Sequence, residues 1–158
     1  MARYLRTIRQ GRWLTQSWLT ADELQADALI DLKTEGNVLS IYRVDTDLEV
    51  DRVAVALAAN RGSLDNIDYA VFDDSNFPTI GLVVKQQEGE TPDTFVDGLH
   101  YDLVNLTVGK LAELAQTIST GYMHRILKKD VRRRIQEGLA TGKLNRSKLT
   151  TGLLNALE

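Results

Sequence analysis

At 158 residues, with no cysteine and a formal net charge of −3, the chain is large enough to bury a core without metal or disulfide and is sized for a single domain. Thiol chemistry and cysteine-ligated zinc are excluded. No run approaches a membrane span, and residues 1–6 lack the apolar core of a signal peptide, so the expectation is a cytoplasmic protein that makes no membrane contact.

The charges are unevenly spread. Residues 1–20 carry four arginines and no acid, and residues 21–100 carry 17 acids against five bases. Residues 124–158 return to nine bases against three acids. Such asymmetry says little about fold but bears on partners.

In chain order, residues 1–19 read as a basic arm or edge segment. Arg3, Arg6, Arg9 and Arg12 recur every third residue, which on a helix spreads them around half the circumference. Trp13 and Trp18 sit among apolar neighbours and read as core. Thr20-Ala21-Asp22-Glu23 is a capping box, flanked by Leu19 and Leu24 at the staple positions. The helix it opens is predicted to run to Lys33, with Gly36 as its left-handed stop.

Residues 38–85 are expected to form the organising unit. Three β-branched and aromatic runs, 38–44, 67–72 and 80–84, read as strands. Between the first two lies a second capping box, Thr46-Asp47-Leu48-Glu49, whose helix ends near Asn60-Arg61-Gly62. Strand, helix, strand predicts a parallel pair with a right-handed crossover. The link 73–78 is too short for a crossover, so the third strand is expected to return antiparallel.

Beyond Lys85 the pattern turns helical. Thr91-Pro92 resembles a helix start, and Phe95, Val96, Leu99, Leu103 and Leu106 recur at helical spacing. Thr107 can cap a helix bearing Leu111, Leu114, Ala115 and Ile118 on one face. A further helix is predicted from about Tyr122, with Met123, Leu127, Val131 and Ile135 on an i,i+4 line. That line lies roughly opposite the preceding stripe, so Ser119-Thr120-Gly121 must be a bend, with Gly121 in a left-handed or strained conformation. Residues 147–157 read as a weak last helix. The expected fold is α/β or α+β: a small mixed three-stranded sheet with flanking helices and a C-terminal helical part. Residues 1–19 form its arm, 20–90 the sheet-containing core and 91–158 the helical part.

No stretch carries a specific catalytic or cofactor motif. Asp45 and Asp47 follow the first strand, and Asp73 and Asp74 the second. On neighbouring parallel strands they would gather four carboxylates at one edge, suited to magnesium or calcium. Aspartate serves equally well in caps and turns at these places, so no metal ligand is assigned. An acid followed by acid-x-lysine on adjacent strands, a nuclease pattern, fails because position 83 is Val83. His100 and Asp102, two apart, would diverge on a helix. With His124 the only other histidine, no catalytic residue is assigned.

The strongest chemical feature is basic. Arg125, Lys128, Lys129, Arg132 and Arg133, with Arg134 beside them, surround the apolar line as a surface for a partner. The expected function is a non-enzymatic protein-interaction module acting in an oligomer or larger assembly, without cofactor. The alternatives are nucleic-acid binding through this basic helix and, third, a metal-dependent enzyme using the aspartate edge.

Overall fold

The computed structural model describes residues 1–13 and 24–158. The capping box at Thr20, the staple at Leu19 and Trp18 lie outside the described residues. Of the helix predicted to follow, α1 spans Ala28–Asp31. Gly36 is left-handed as expected, but it pairs with left-handed Asn37 in a tight turn closed by Glu35 and Val38 rather than ending a helix.

The fold belongs to the mixed α and β class, yet its sheet is neither three-stranded nor mixed. Among the described residues six strands, β1 (Arg3–Ile8), β2 (Leu39–Arg43), β3 (Ile67–Asp73), β4 (Val83–Gln86), β5 (His100–Val104) and β6 (Tyr122–Ile126), lie in the order β4-β5-β2-β1-β3-β6. Every neighbouring pair is antiparallel. The first strand is therefore not an arm. It occupies the centre of the sheet.

That insertion changes the expected crossover. Helix α2 (Asp47–Ala59) connects β2 to β3, and these two strands do run parallel. They are not neighbours, because β1 lies between them and is antiparallel to both. The capping box forms as predicted: the Glu49 amide donates to the Thr46 hydroxyl at 3.2 Å, and the Glu49 carboxylate accepts from the Thr46 amide at 3.0 Å.

After β3 the chain makes a short turn of helix, α3 (Phe77–Ile80), stopped by left-handed Gly81. It then crosses to the far edge, where β4 pairs with β5 instead of β3. The helix predicted through Leu106 is a single turn, α4 (Thr94–Asp97), followed after Gly98 and Leu99 by β5. The Asp93 side chain, not Thr91, caps that turn by accepting from the Phe95 amide.

Helix α5 (Val108–Ser119) is capped by Thr107 and buries Leu114, Ala115 and Ile118, as its stripe implied. The phase shift at Gly121 is real, but a strand follows it. Met123 lies in β6 and Leu127 is the cap of α6 (Lys128–Ala140), so only Val131 and Ile135 of the i,i+4 line are helical and buried. The chain ends in α7 (Thr151–Leu157), capped by Thr150.

Two cores flank the sheet. Leu5, Val44, Ile67, Tyr69 and Ile126 face a layer in which α2, α6 and α7 supply Val53, Ala54, Val131, Ile135 and Leu153. Tyr4, Ile8, Leu39, Ile41, Ala70, Phe72 and Leu103 face the other layer, with Leu114 and Ile118 of α5. Strand residues alternate between these layers, which is why both faces of β1 and β3 are apolar. Among the described residues, no helix is long and apolar enough to cross a membrane.

Candidate functional site

The central placement of β1 brings three distant segments to one end of the sheet. Ile8 stands opposite Asp68 in the β1–β3 ladder, and Asp68 stands opposite Arg125 in the β3–β6 ladder. Beyond these positions lie the turn after β1, the chain entering β3 and the start of α6. Between them opens a polar cleft of about 690 Å³, lined chiefly by Arg9, Arg12, Arg61, Arg125, Asp65 and Asp68.

Asp68 is the anchor of this cleft. Its residue is only 7% exposed. It accepts from Arg125 at both oxygens, from Nε at 2.6 Å and Nη2 at 2.8 Å, and from the Gln10 amide at 2.8 Å. Burial pushes the Asp68 carboxyl up, but the Arg125 and Gln10 hydrogen bonds, with the charges of Arg125 and Arg61, hold it below the usual carboxylate range.

A second carboxylate organises the neighbouring turn. Asp31 accepts from the Arg9 amide, the Trp13 indole N–H and Arg12 Nη1, each at 2.7 Å. Arg9 thus uses its backbone here, and among the described residues its exposed guanidinium has no acidic partner. Arg61 is half-buried and donates to the Asn66 carbonyl at 3.0 Å. Burial pushes the Arg61 guanidinium down, and the charge of Arg9 adds to that effect against Asp65 and Asp68. The Asn66 side chain accepts from the Lys128 amide at 2.7 Å, tying the cleft to the start of α6.

The basic residues singled out from sequence do not form one helical surface. Arg125 lies on β6 and enters the cleft, while Lys128 and Lys129 open α6 and are exposed. Arg132 donates to the Ala156 carbonyl at 2.9 Å. Arg133 is held by Glu137 at 2.9 Å and Asp130 at 3.8 Å, and Arg134 contacts Asp51. Arg9, Arg12 and Arg61 were not foreseen as companions of Arg125. Nothing local in the sequence marks them, because their proximity follows from the insertion of β1.

That insertion also breaks up the aspartate edge. Asp45 and Asp47 stand on one side of β1, Asp73 and Asp74 on the other, and Arg3 lies between. It donates to the Asp45 carbonyl at 3.2 Å and pairs with Asp47 at 3.6 Å. Asp73 accepts from the Ser75 amide at 2.9 Å, and Asp74 from the Ala2 amide at 3.0 Å. Among the described residues, no group of three or more histidines or carboxylates is placed to hold a metal ion.

His100 and Asp102 prove to be close, because on a strand residues two apart share a face. His100 Nε2 lies 3.4 Å from the Asp102 carboxylate, and the Ser40 hydroxyl donates to the same oxygen at 3.2 Å. Asp102 therefore stands between serine and histidine. In a serine–histidine–acid triad the imidazole stands beside the hydroxyl, an order this trio reverses.

A different kind of opening lies between α2 and α6. Leu48, Val55, Phe95 and Leu144 give this groove of about 550 Å³ apolar walls. Its charges are largely spent on one another. Arg52 binds buried Asp93 with two hydrogen bonds of 2.6 and 2.9 Å, and its guanidinium stacks 4.3 Å from the centre of the Phe95 ring. Arg134 and Asp51 pair across the two helices. Leu48 is 84% exposed and Phe95 46% exposed. No protein-family model matches the chain, and no match to it was found among curated proteins or solved structures.

Proposed function

We propose that the chain is a non-enzymatic interaction module working in an oligomer or larger assembly, with the α2–α6 groove as its docking surface for a protein partner. The observation that carries this reading is the exposure of Leu48 and Phe95 at a groove whose flanking arginines are already paired. An amphipathic segment laid there would bury apolar surface beside arginines whose charges are already paired. Aromatic anchors of this kind carry much of the energy of protein interfaces.

The order Ser40–Asp102–His100 and the interposition of Arg3 among the aspartates support the non-enzymatic half of the reading. The nucleic-acid alternative finds less support on the helix that suggested it, since Arg132, Arg133 and Arg134 are each engaged within the chain.

The test is the solution mass of the purified protein across concentration, by light scattering or sedimentation, with Leu48→Glu and Phe95→Ser compared. A mass above the monomer that both substitutions return to the monomer is the expected result. A monomer at every concentration, together with the same co-purifying proteins for wild type and both variants, would refute the groove as an interface.

A further inference from the structure

The polar cleft beyond Ile8 and Asp68 is separate from the α2–α6 groove and shares no lining residue with it. Four guanidiniums line it against two carboxylates, Asp65 and Asp68. Asp68 is already saturated by Arg125 and the Gln10 amide, and Asp31 outside the lining holds Arg12. Among the described residues exposed Arg9 has no acidic partner, and its charge opposes that of half-buried Arg61, which Asp65 and Asp68 in turn favour. Bringing like charges together in a partly desolvated cleft costs free energy that a bound anion offsets.

The donor type narrows the anion. Each guanidinium presents a planar fork of N–H groups, and forks from different directions suit a group with several acceptor oxygens. A phosphate offers more such oxygens than a carboxylate. The opening is also large enough for more than the anion alone, within the range of small-molecule sites.

We propose that this cleft binds a phosphate group, held chiefly by Arg9 and Arg61 and flanked by Arg12 and Arg125. Asp68 is the positioning residue, fixing Arg125 at the wall. The same chemistry is offered by a free phosphorylated small molecule and by a nucleic-acid backbone. This assignment does not rest on the α2–α6 groove, and the two fail separately.

The experiment uses the full chain and three variants: Arg9→Gln, Arg61→Gln and, away from the cleft, Lys143→Gln. Pyrophosphate is titrated by calorimetry at low salt. Labelled single-stranded and duplex oligonucleotides are titrated by anisotropy at about 50 and 200 mM salt. Thermal melts establish that each variant is folded. The expected result is binding that Arg9→Gln and Arg61→Gln each weaken by about tenfold or more, with Lys143→Gln unchanged. Oligonucleotide binding that falls steeply with salt and competes with pyrophosphate assigns the backbone as source. Pyrophosphate binding without oligonucleotide binding assigns a small phosphorylated ligand. Should Arg61→Gln fail to fold, exposed Arg9 decides the matter alone. Absence of binding by either probe at low salt overturns the proposal, as does binding that Arg9→Gln leaves unchanged.

Discussion

Gly121 joins α5 to β6, and replacing it tests how closely the last strand is packed. A Cβ built there would stand 2.5 Å from the Val71 carbonyl oxygen, 3.1 Å from that of Ile118 and 3.2 Å from Phe72 Cβ. The first contact is about 0.8 Å inside the usual C···O separation of roughly 3.3 Å. Two of the three neighbours are backbone, one in the last turn of α5 and one in β3, so no side chain can swing away to relieve the overlap. Relief requires β6 to shift off β3 near the Val71–Tyr122 pair. Overpacking of this kind costs about 1–3 kcal/mol for Gly121→Ala, and Gly121→Val should cost more. At this chain length, each kcal/mol is worth about 2–4 °C in melting temperature. The cause is close approach, since Gly121 is not among the residues with positive φ. Gly121→Asn should therefore be no milder than Gly121→Ala, although asparagine tolerates a left-handed backbone. Urea unfolding followed by circular dichroism gives the measurement. Gly109→Ala is the control, because nothing lies within 4 Å of a Cβ there and α5 should be unaffected or gain up to about 1 kcal/mol. A Gly121→Ala protein within about 0.5 kcal/mol of wild type would refute the reasoning.

Three further outcomes follow from named contacts. Asp68→Asn should cost about 1.5–3 kcal/mol at neutral pH, the usual worth of a hydrogen bond to a charged group. Because its folded pKa lies below the unfolded value, the carboxylate's contribution is complete above the unfolded pKa and is lost as pH falls through the folded one. The gap between Asp68→Asn and wild type should therefore stay constant from neutral pH to about pH 4.5 and close below that. Urea titrations across pH showing a constant gap down to strong acid would contradict this. Arg52→Ala strands the buried Asp93 carboxylate and should cost roughly 3–5 kcal/mol. A double-mutant cycle with Asp93→Asn should show strong non-additivity, and simple additivity would mean the pair is not coupled. Thr46→Ala removes the cap of α2 and should cost about 1 kcal/mol, against no change if the capping box is energetically idle.

Elements stabilised by local chemistry were legible from sequence; those defined by distant pairing were not. Helices α2 and α5 announce themselves through Thr46 and Thr107 with an apolar stripe behind each, whereas α7 shows only as a weak helical stretch over 147–157. Strands β2 and β3 are β-branched and long enough to stand out. Strand β5 was masked because Phe95, Leu99 and Leu103 fall four apart, matching a helical period across a turn, a glycine and a strand. Met123, Leu127, Val131 and Ile135 mislead in the same way. They span a strand, a cap and a helix, and their common spacing has no common structure beneath it. Of the basic cleft, Arg125 was visible as part of a charged run. Arg9 and Arg12 were hidden because their segment, with apolar residues on both faces, lacks the alternation of a half-wet strand.

The arginine spacing of three acquires its meaning only once β1 is recognised as a strand. On a helix that period spreads charge around the surface, but on a strand it alternates faces. Arg3 leaves one face and reaches Asp47 and the Asp45 carbonyl. Arg6 leaves the other and is buried, donating to the carbonyls of Ser40 at 2.6 Å and Asp31 at 2.9 Å. Burial pushes the Arg6 guanidinium down to about 10, so it stays charged at neutral pH. Arg12, beyond the strand's end, pairs with Asp31. The basic N-terminal segment thus finds its partners within the acid-rich stretch 21–100, which supplies both strands flanking it. A slip of one residue would reverse the faces, sending Tyr4 and Ile8 out of their core and Arg3 and Arg6 away from their acceptors. Hydrophobic pattern and charge pattern therefore select the same register for β1. The break in the aspartate edge and the assembly of the basic cleft are two consequences of that one placement.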